Sequence, residues 1–247
     1  MTTGSPVQPF TFGELLARAW AMYRREPVLF LILTAVTVVP VGILTSIASA
    51  AAADTVSGTR AAAITSIALI PALLLLPVSG AAVAVATVRR LAGDHVGAGA
   101  TLERVGVRFW VLFGALVLVT AGVVVGLIAL LIPGIALMVL WLFAGEAVVI
   151  EGRGVRDALH RSQALVRGSW WTVFAAWLLI QVVVLAGQVV LGIAGRFVLL
   201  AFDGTTRTVA NGVWSTITQL LVEPFALIAI ALLYADRVLR VDGRLPD

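Results

Sequence analysis

Phe109 to Ile150 reads FWVLFGALVLVTAGVVVGLIALLIPGIALMVLWLFAGEAVVI. Over these 42 residues the only ionisable side chain is Glu146, and the only turn signal is the uncharged Ile132-Pro133-Gly134. A helix of about 20 apolar residues crosses the hydrocarbon core of a bilayer. The stretch therefore reads as two membrane helices joined at a tip that just reaches the far surface. Two more uncharged runs, Val28–Ala53 and Ala61–Thr87, precede it. Mean hydropathy is +1.08, and charged residues make up 12% of the chain, about half the ~25% of soluble domains. A membrane β-barrel would instead alternate in polarity over ~10-residue segments. The expected class is all-α: a polytopic membrane helix bundle.

Hydropathy and breakers together give six spans: Pro27–Ala50, Ala61–Val88, Phe109–Leu131, Gly134–Ile150, Trp170–Gly195 and Val209–Tyr234. Residues 1–10 read as a disordered tail, 11–238 as one membrane domain and 239–247 as a cytoplasmic tail. Arg24 and Arg25 followed by Ala48-Ser49-Ala50 resemble a signal peptide. Val28–Ala53 far exceeds an h-region of ~7–15 residues, however, so it reads as an uncleaved anchor. All 17 basic residues are arginine. The six-span reading puts 14 of them on one side, leaving Arg60, Arg196 and Arg207 on the other. Positive charge stays cytoplasmic, so both termini are expected inside a bacterial inner membrane. The net charge of +4 then orients the chain and gives no reason to expect nucleic acid. The absence of cysteine excludes disulfides and thiolate metal sites.

Between the spans lie short charged segments. From Val155 the apolar positions Val155, Ala158, Leu159, Leu165 and Val166, with small Ser162, recur at helical spacing. Asp157 and Arg161 sit four apart, close enough to pair. The N-terminus repeats the stripe as Phe12, Leu15, Leu16, Ala19, Met22 and Tyr23, and Thr11 with Glu14 has capping-box spacing. A weaker copy covers Ala98–Trp110. Each copy precedes a pair of spans, so the chain reads as three weak repeats of a surface helix plus a hairpin. The expected role of these amphipathic helices is interfacial. Arg18, Arg24, Arg153, Arg156, Arg161 and Arg167 would face lipid headgroups, with the stripes in the acyl boundary. Trp170 and Trp171 mark the point where the chain turns into the membrane.

The motifs Pro133-Gly134, Glu151-Gly152, Ala158-Leu159, Arg161-Ser162 and Val166-Arg167-Gly168-Ser169-Trp170-Trp171 carry a resemblance. With the ending Tyr234, Asp236, Arg240, Asp242 and Gly243, they resemble the bacterial family named for the membrane domain of glycerophosphodiester phosphodiesterases, and its YciC-like relatives. Val238 departs from that pattern where an arginine is expected. The resemblance implies a six-span inner-membrane protein and no activity.

No catalytic signature is present. His95 and His160, the only histidines, belong to no HExxH, and there is no Gly-x-Ser-x-Gly. No metal site, no cofactor and no enzyme activity are expected. Glu146 lies four residues from its span's end, within reach of headgroups or an arginine. Glu223 is deeper and precedes Pro224, while Gln181 lies at the same count from its own span's end. Two readings stand: a proton- or cation-binding site, or a neutral Glu223 bonded to Gln181 or Gln219 as interhelical glue. The second is preferred at this point. Gly122 and Gly126 permit close helix approach, either within the chain or in a dimer. The functional expectation is a non-enzymatic membrane protein organising lipids or partner proteins at the cytoplasmic face. The alternative is a small transporter or channel using Glu223 and Gln181. The partners implied are membrane lipids, with a membrane-protein partner or a second copy of the chain as further candidates.

Overall fold

A computed structural model describes residues 11–53 and 58–245. The expected disordered tail, 1–10, lies outside them. The described residues form ten helices: α1 Phe12–Arg25, α2 Pro27–Ala53, α3 Gly58–Leu91, α4 Ala98–Val107, α5 Phe109–Ala129, α6 Leu131–Leu140, α7 Ala144–Val149, α8 Val155–Val166, α9 Trp170–Leu199 and α10 Gly204–Asp242. Six segments are long and apolar enough to cross a membrane: α2, α3, α5, α6 together with α7, α9, and α10. The chain is a multi-pass helical membrane protein, with the start of α2 and the C-terminal end of α10 at the same end, the terminal end. The order of short and long helices repeats three times, as α1-α2-α3, α4-α5-α6/α7 and α8-α9-α10.

The hairpin turn falls earlier than its sequence suggested. Leu130 is extended and α6 begins at Leu131, so Pro133 lies in the first turn of the helix. The missing N–H of proline costs little there, because first-turn donors have no intrahelical acceptor anyway. Close packing draws the hairpin tight. A Cβ added at Gly126 would stand 3.0 Å from Gly134 Cα, and one at Gly122 would collide with the Trp141 ring. The Gly122/Gly126 pair is therefore used within the chain. At the other end, α10 runs to Asp242, four residues into the segment read as a tail, and stops at Gly243 with φ 74°.

α2, α3 and α10 form the centre of the bundle, around Phe30, Leu33, Val83, Ile228 and Leu232, all buried. Apolar burial between helices gains little inside lipid, so small residues that let backbones approach matter more. Gly42 accommodates the Thr216 side chain, and Gly212 accommodates that of Ser46, so α2 and α10 interlock reciprocally. α9 packs chiefly on α10 and leaves Val182, Leu185, Val190 and Phe197 exposed, the apolar surface expected of a lipid-facing helix. Trp110 and Trp171 are exposed near the starts of α5 and α9 at the terminal end. That is where an aromatic belt sits at a membrane interface.

The short helices depart from expectation in what their stripes touch. Leu15, Ala19 and Tyr23 of α1 are buried, and so are Ala158, Leu159, Ser162, Leu165 and Val166 of α8. These faces pack onto the bundle, α1 against α10 and α8 against α7, α5 and α10, instead of lying in an acyl boundary. The capping box of α1 forms as the spacing implied, with Glu14 N–H donating to Thr11 Oγ1 at 3.4 Å and Thr11 N–H to Glu14 Oε2 at 2.8 Å. α4 is the shortest of the three and lacks a side-chain cap.

Candidate functional site

A polar groove of ≈ 630 Å³ runs between α9 and α10. α9 lines it with Gln181, Gln188, Gly192 and Arg196, which recur at steps of seven, four and four and so share one helix face. α10 lines it with Asn211, Ser215, Thr218, Gln219 and Glu223, again one face. Polar and ionisable groups inside a membrane span are costly, and in such folds they line cavities or pathways. Toward the terminal end the groove also touches Ala226, Leu227 and Ile230, beyond which α10 is buried without a break from Ala231 to Val238.

Helix contacts fix the register. A Cβ added at Gly187 would stand 3.5 Å from Val222 Cγ2, Gly195 faces Trp214, and the Trp214 indole N–H donates to Leu191 O at 3.0 Å. Glu223 is therefore level with Ala186, about midway between Arg207 and Arg237. Gln181 lines the same groove but sits about five residues closer to the terminal end, roughly 7 Å at 1.5 Å per residue. Counting from span ends misplaced the pair, because α10 continues past the membrane boundary and α9 does not begin at the matching level. Gln188 is the amide nearest in depth to Glu223. Gln219 donates to Ser215 Oγ at 3.1 Å, and Glu223 has no hydrogen-bond or ion-pair partner among the described residues. The interhelical glue expected of Glu223 with Gln181 or Gln219 is not formed. Gln188, Asn211, Ser215 and Thr218 are not among the candidates the sequence yields, although their helical spacing is a readable signal.

The other polar concentration lies at the terminal end, where the family-like motifs converge. The Glu151 carboxylate accepts from Tyr234 OH at 2.6 Å, Arg153 Nε at 2.5 Å and Arg161 Nε at 2.8 Å. Burial pushes this carboxyl up, but the three donors outweigh it and hold Glu151 below the usual carboxylate range. The outer edge of Arg161 makes a two-pronged contact with Asp242 on α10, and these partners raise its pKa. Arg161 pairs with these two acids and not with Asp157. Ser162 fills the break between α6 and α7: its hydroxyl accepts from Phe143 N–H at 3.1 Å and donates to Leu140 O at 2.7 Å. Gly152 has φ 71°, and a Cβ there would meet Arg108 Nη2 at 2.9 Å. Arg108 in turn donates to Gly152 O at 2.7 Å. The motif thus ties α5, α7, α8 and α10 together.

The remaining candidates separate. Glu146 lines a ≈ 200 Å³ cavity between α3, α5 and α7 that also touches Trp141, whose buried indole N–H has no partner. Arg24, Arg156 and Arg167 are exposed, on the face that also carries Arg153.

The profile of a domain of unknown function, DUF7847, matches residues 12–237. The chain belongs to that family. No curated protein and no solved structure matches it.

Proposed function

We propose that this DUF7847 member is a non-enzymatic membrane protein that takes a small cation, or an amine-bearing solute, into the α9/α10 groove. The observation that carries this is Glu223, without a hydrogen-bond or ion-pair partner among the described residues, in a groove lined by amides and hydroxyls. A carboxylate at that depth is costly without a partner, and a bound cation or proton supplies one. Arg196 does not fill that role. By the α9/α10 register it lies about ten residues away, roughly 15 Å along the helix. The arginine asymmetry supports a bacterial inner membrane with cytoplasmic termini, which would open the groove toward the opposite side. The motif knot around Glu151 supports kinship with the glycerophosphodiester phosphodiesterase membrane-domain and YciC-like families.

The test is thermal stability of the purified protein in neutral detergent with sodium, potassium, methylammonium or choline chloride at matched ionic strength. At least one cation should raise the Tm of the wild type and leave Glu223→Gln unmoved. If every cation acts equally on the two proteins, the reading fails. A second reading, organisation of anionic lipid at the terminal face, is favoured by the exposed Arg24, Arg156 and Arg167.

A further inference from the structure

At the terminal end two cavities abut, sharing Ile150 and Leu245 as a common wall. One, of ≈ 300 Å³, has Arg89, Asp94 and Arg104 over an apolar floor of Val85, Val88 and Val149. The other, of ≈ 310 Å³, has Glu151, Arg153, Arg161, Asp242 and Arg244. The three acids are already satisfied. Asp94 pairs with Arg89 at 3.0 Å, Glu151 with Arg153 and Arg161, and Asp242 with Arg161. Arg104 and Arg244 have no partner among the described residues, and each is exposed in its own lobe. The combined cavity therefore offers two guanidinium groups without a partner among the described residues, with the apolar Ile150 and Leu245 common to both lobes.

We infer that this two-lobed cavity binds a phosphate ester bearing an apolar portion. The guanidinium fork matches phosphate oxygens in a bidentate way that an ammonium cannot. The floor of valines and the Ile150–Leu245 wall bury apolar surface at the same time. The cavity also lies at the right level. It is built from the terminal ends of α3 and α7 and from α4, at the end of the spans, where lipid headgroups sit in a bilayer. Two sources carry this chemistry, the headgroup of an anionic lipid and a free phosphate from solution.

Full-length protein in neutral detergent, titrated with dioctanoyl phosphatidylglycerol, dioctanoyl phosphatidylcholine or sodium phosphate at constant ionic strength, tests the site. Binding is read by native mass spectrometry and by the shift in Tm. The anionic lipid should bind the wild type, and the Arg104→Gln/Arg244→Gln double variant should bind it at least tenfold more weakly. Arg25→Gln/Arg207→Gln, which removes two exposed arginines that line neither cavity, should bind as the wild type does. Competition by millimolar phosphate assigns the site to free phosphate, and its absence assigns it to the lipid headgroup. If the Gln variant does not fold, Arg104→Lys/Arg244→Lys keeps the charge and loses the fork, so binding should weaken several-fold. Wild-type binding by the altered cavity overturns the inference. So does an equal loss in the Arg25/Arg207 control, or phosphatidylcholine binding as tightly as the anionic lipid.

Discussion

The knot around Glu151 and the groove around Glu223 each centre on one carboxylate, and they treat it in opposite ways. Glu151 is enclosed by Tyr234, Arg153 and Arg161, and Arg161 is itself held by Asp242. Glu223 lines a cavity and has no partner among the described residues. Burying a charge is tolerated when hydrogen bonds and an opposite charge compensate for lost water. The knot meets that condition from within the chain, while the groove leaves it to something outside. A satisfied cluster of this kind fixes geometry, and an unsatisfied one is where a ligand gains from binding. The motif residues therefore describe how the fold is fastened, and the polar stripe of α9 and α10 describes what it is open to.

The largest expected effect is on the knot. Glu151→Ala leaves Arg161 and Tyr234 without their central acceptor and should cost about 3 kcal/mol, the lower end for breaking a buried pair. A drop in Tm of the detergent-solubilised protein would show it. The pH dependence follows from the lowered pKa of Glu151. Its contribution is fully present above the unfolded value of about 4.3 and is lost as pH falls through the lower folded value. The wild-type advantage over Glu151→Ala should therefore shrink on acidification below about pH 4. An advantage that grows in acid would show that the carboxylate is not held by these donors.

A smaller effect distinguishes the frame of the groove from its lining. Gly195 packs against the Trp214 ring, which leaves no room for a methyl group, whereas a Cβ at Gly192 meets nothing within 4 Å. Gly195→Ala should displace the indole from Leu191 O and cost about 1–3 kcal/mol as overpacking does. Gly192→Ala, three residues away on the same helix, should stabilise by roughly 0.4–1 kcal/mol by restricting the unfolded chain. Thermal melts of the pair check this. Equal effects would mean that α9 and α10 are not held in the described register.

Much of this bundle is legible in the sequence because lipid imposes simple rules. Span length, the Arg60/Arg196/Arg207 minority and the thrice-repeated surface helix all follow from the need to satisfy backbone groups and to keep charge out of hydrocarbon. What the stripes of α1 and α8 would touch was not legible, since a face that is apolar at helical spacing fits lipid and protein equally well. Only the contacts on α10 and α7 decide it. The partner of Arg161 was hidden for another reason. Asp157 is the near choice in sequence, while Glu151 and Asp242 win through a fold that returns α10 to α8 after 81 residues. Glu223 was found by its isolation in an apolar run. Its relation to Gln181 was set by helix register, which no count from span ends supplies.

The smallest expected effect is the one that most directly tests the contrast. Among the described residues Glu223 makes no hydrogen bond that a substitution would remove. Glu223→Gln and Glu223→Leu should therefore both leave stability within about 0.6 kcal/mol of wild type in the absence of ligand, no more than the average interhelical hydrogen bond in a membrane. Leucine even removes the desolvation cost of an unpaired acid, so its Tm should match or exceed that of the wild type. Glu223 serving as interhelical glue would reverse this order. Leucine would then lose roughly 0.6–2 kcal/mol while glutamine, keeping the hydrogen-bonding capacity, lost little. Thermal melts of the two variants beside Glu151→Ala, in one detergent and without added cation, put both carboxylates on one scale. A loss in Glu223→Leu approaching that of Glu151→Ala would mean that the groove, like the knot, is already satisfied from within.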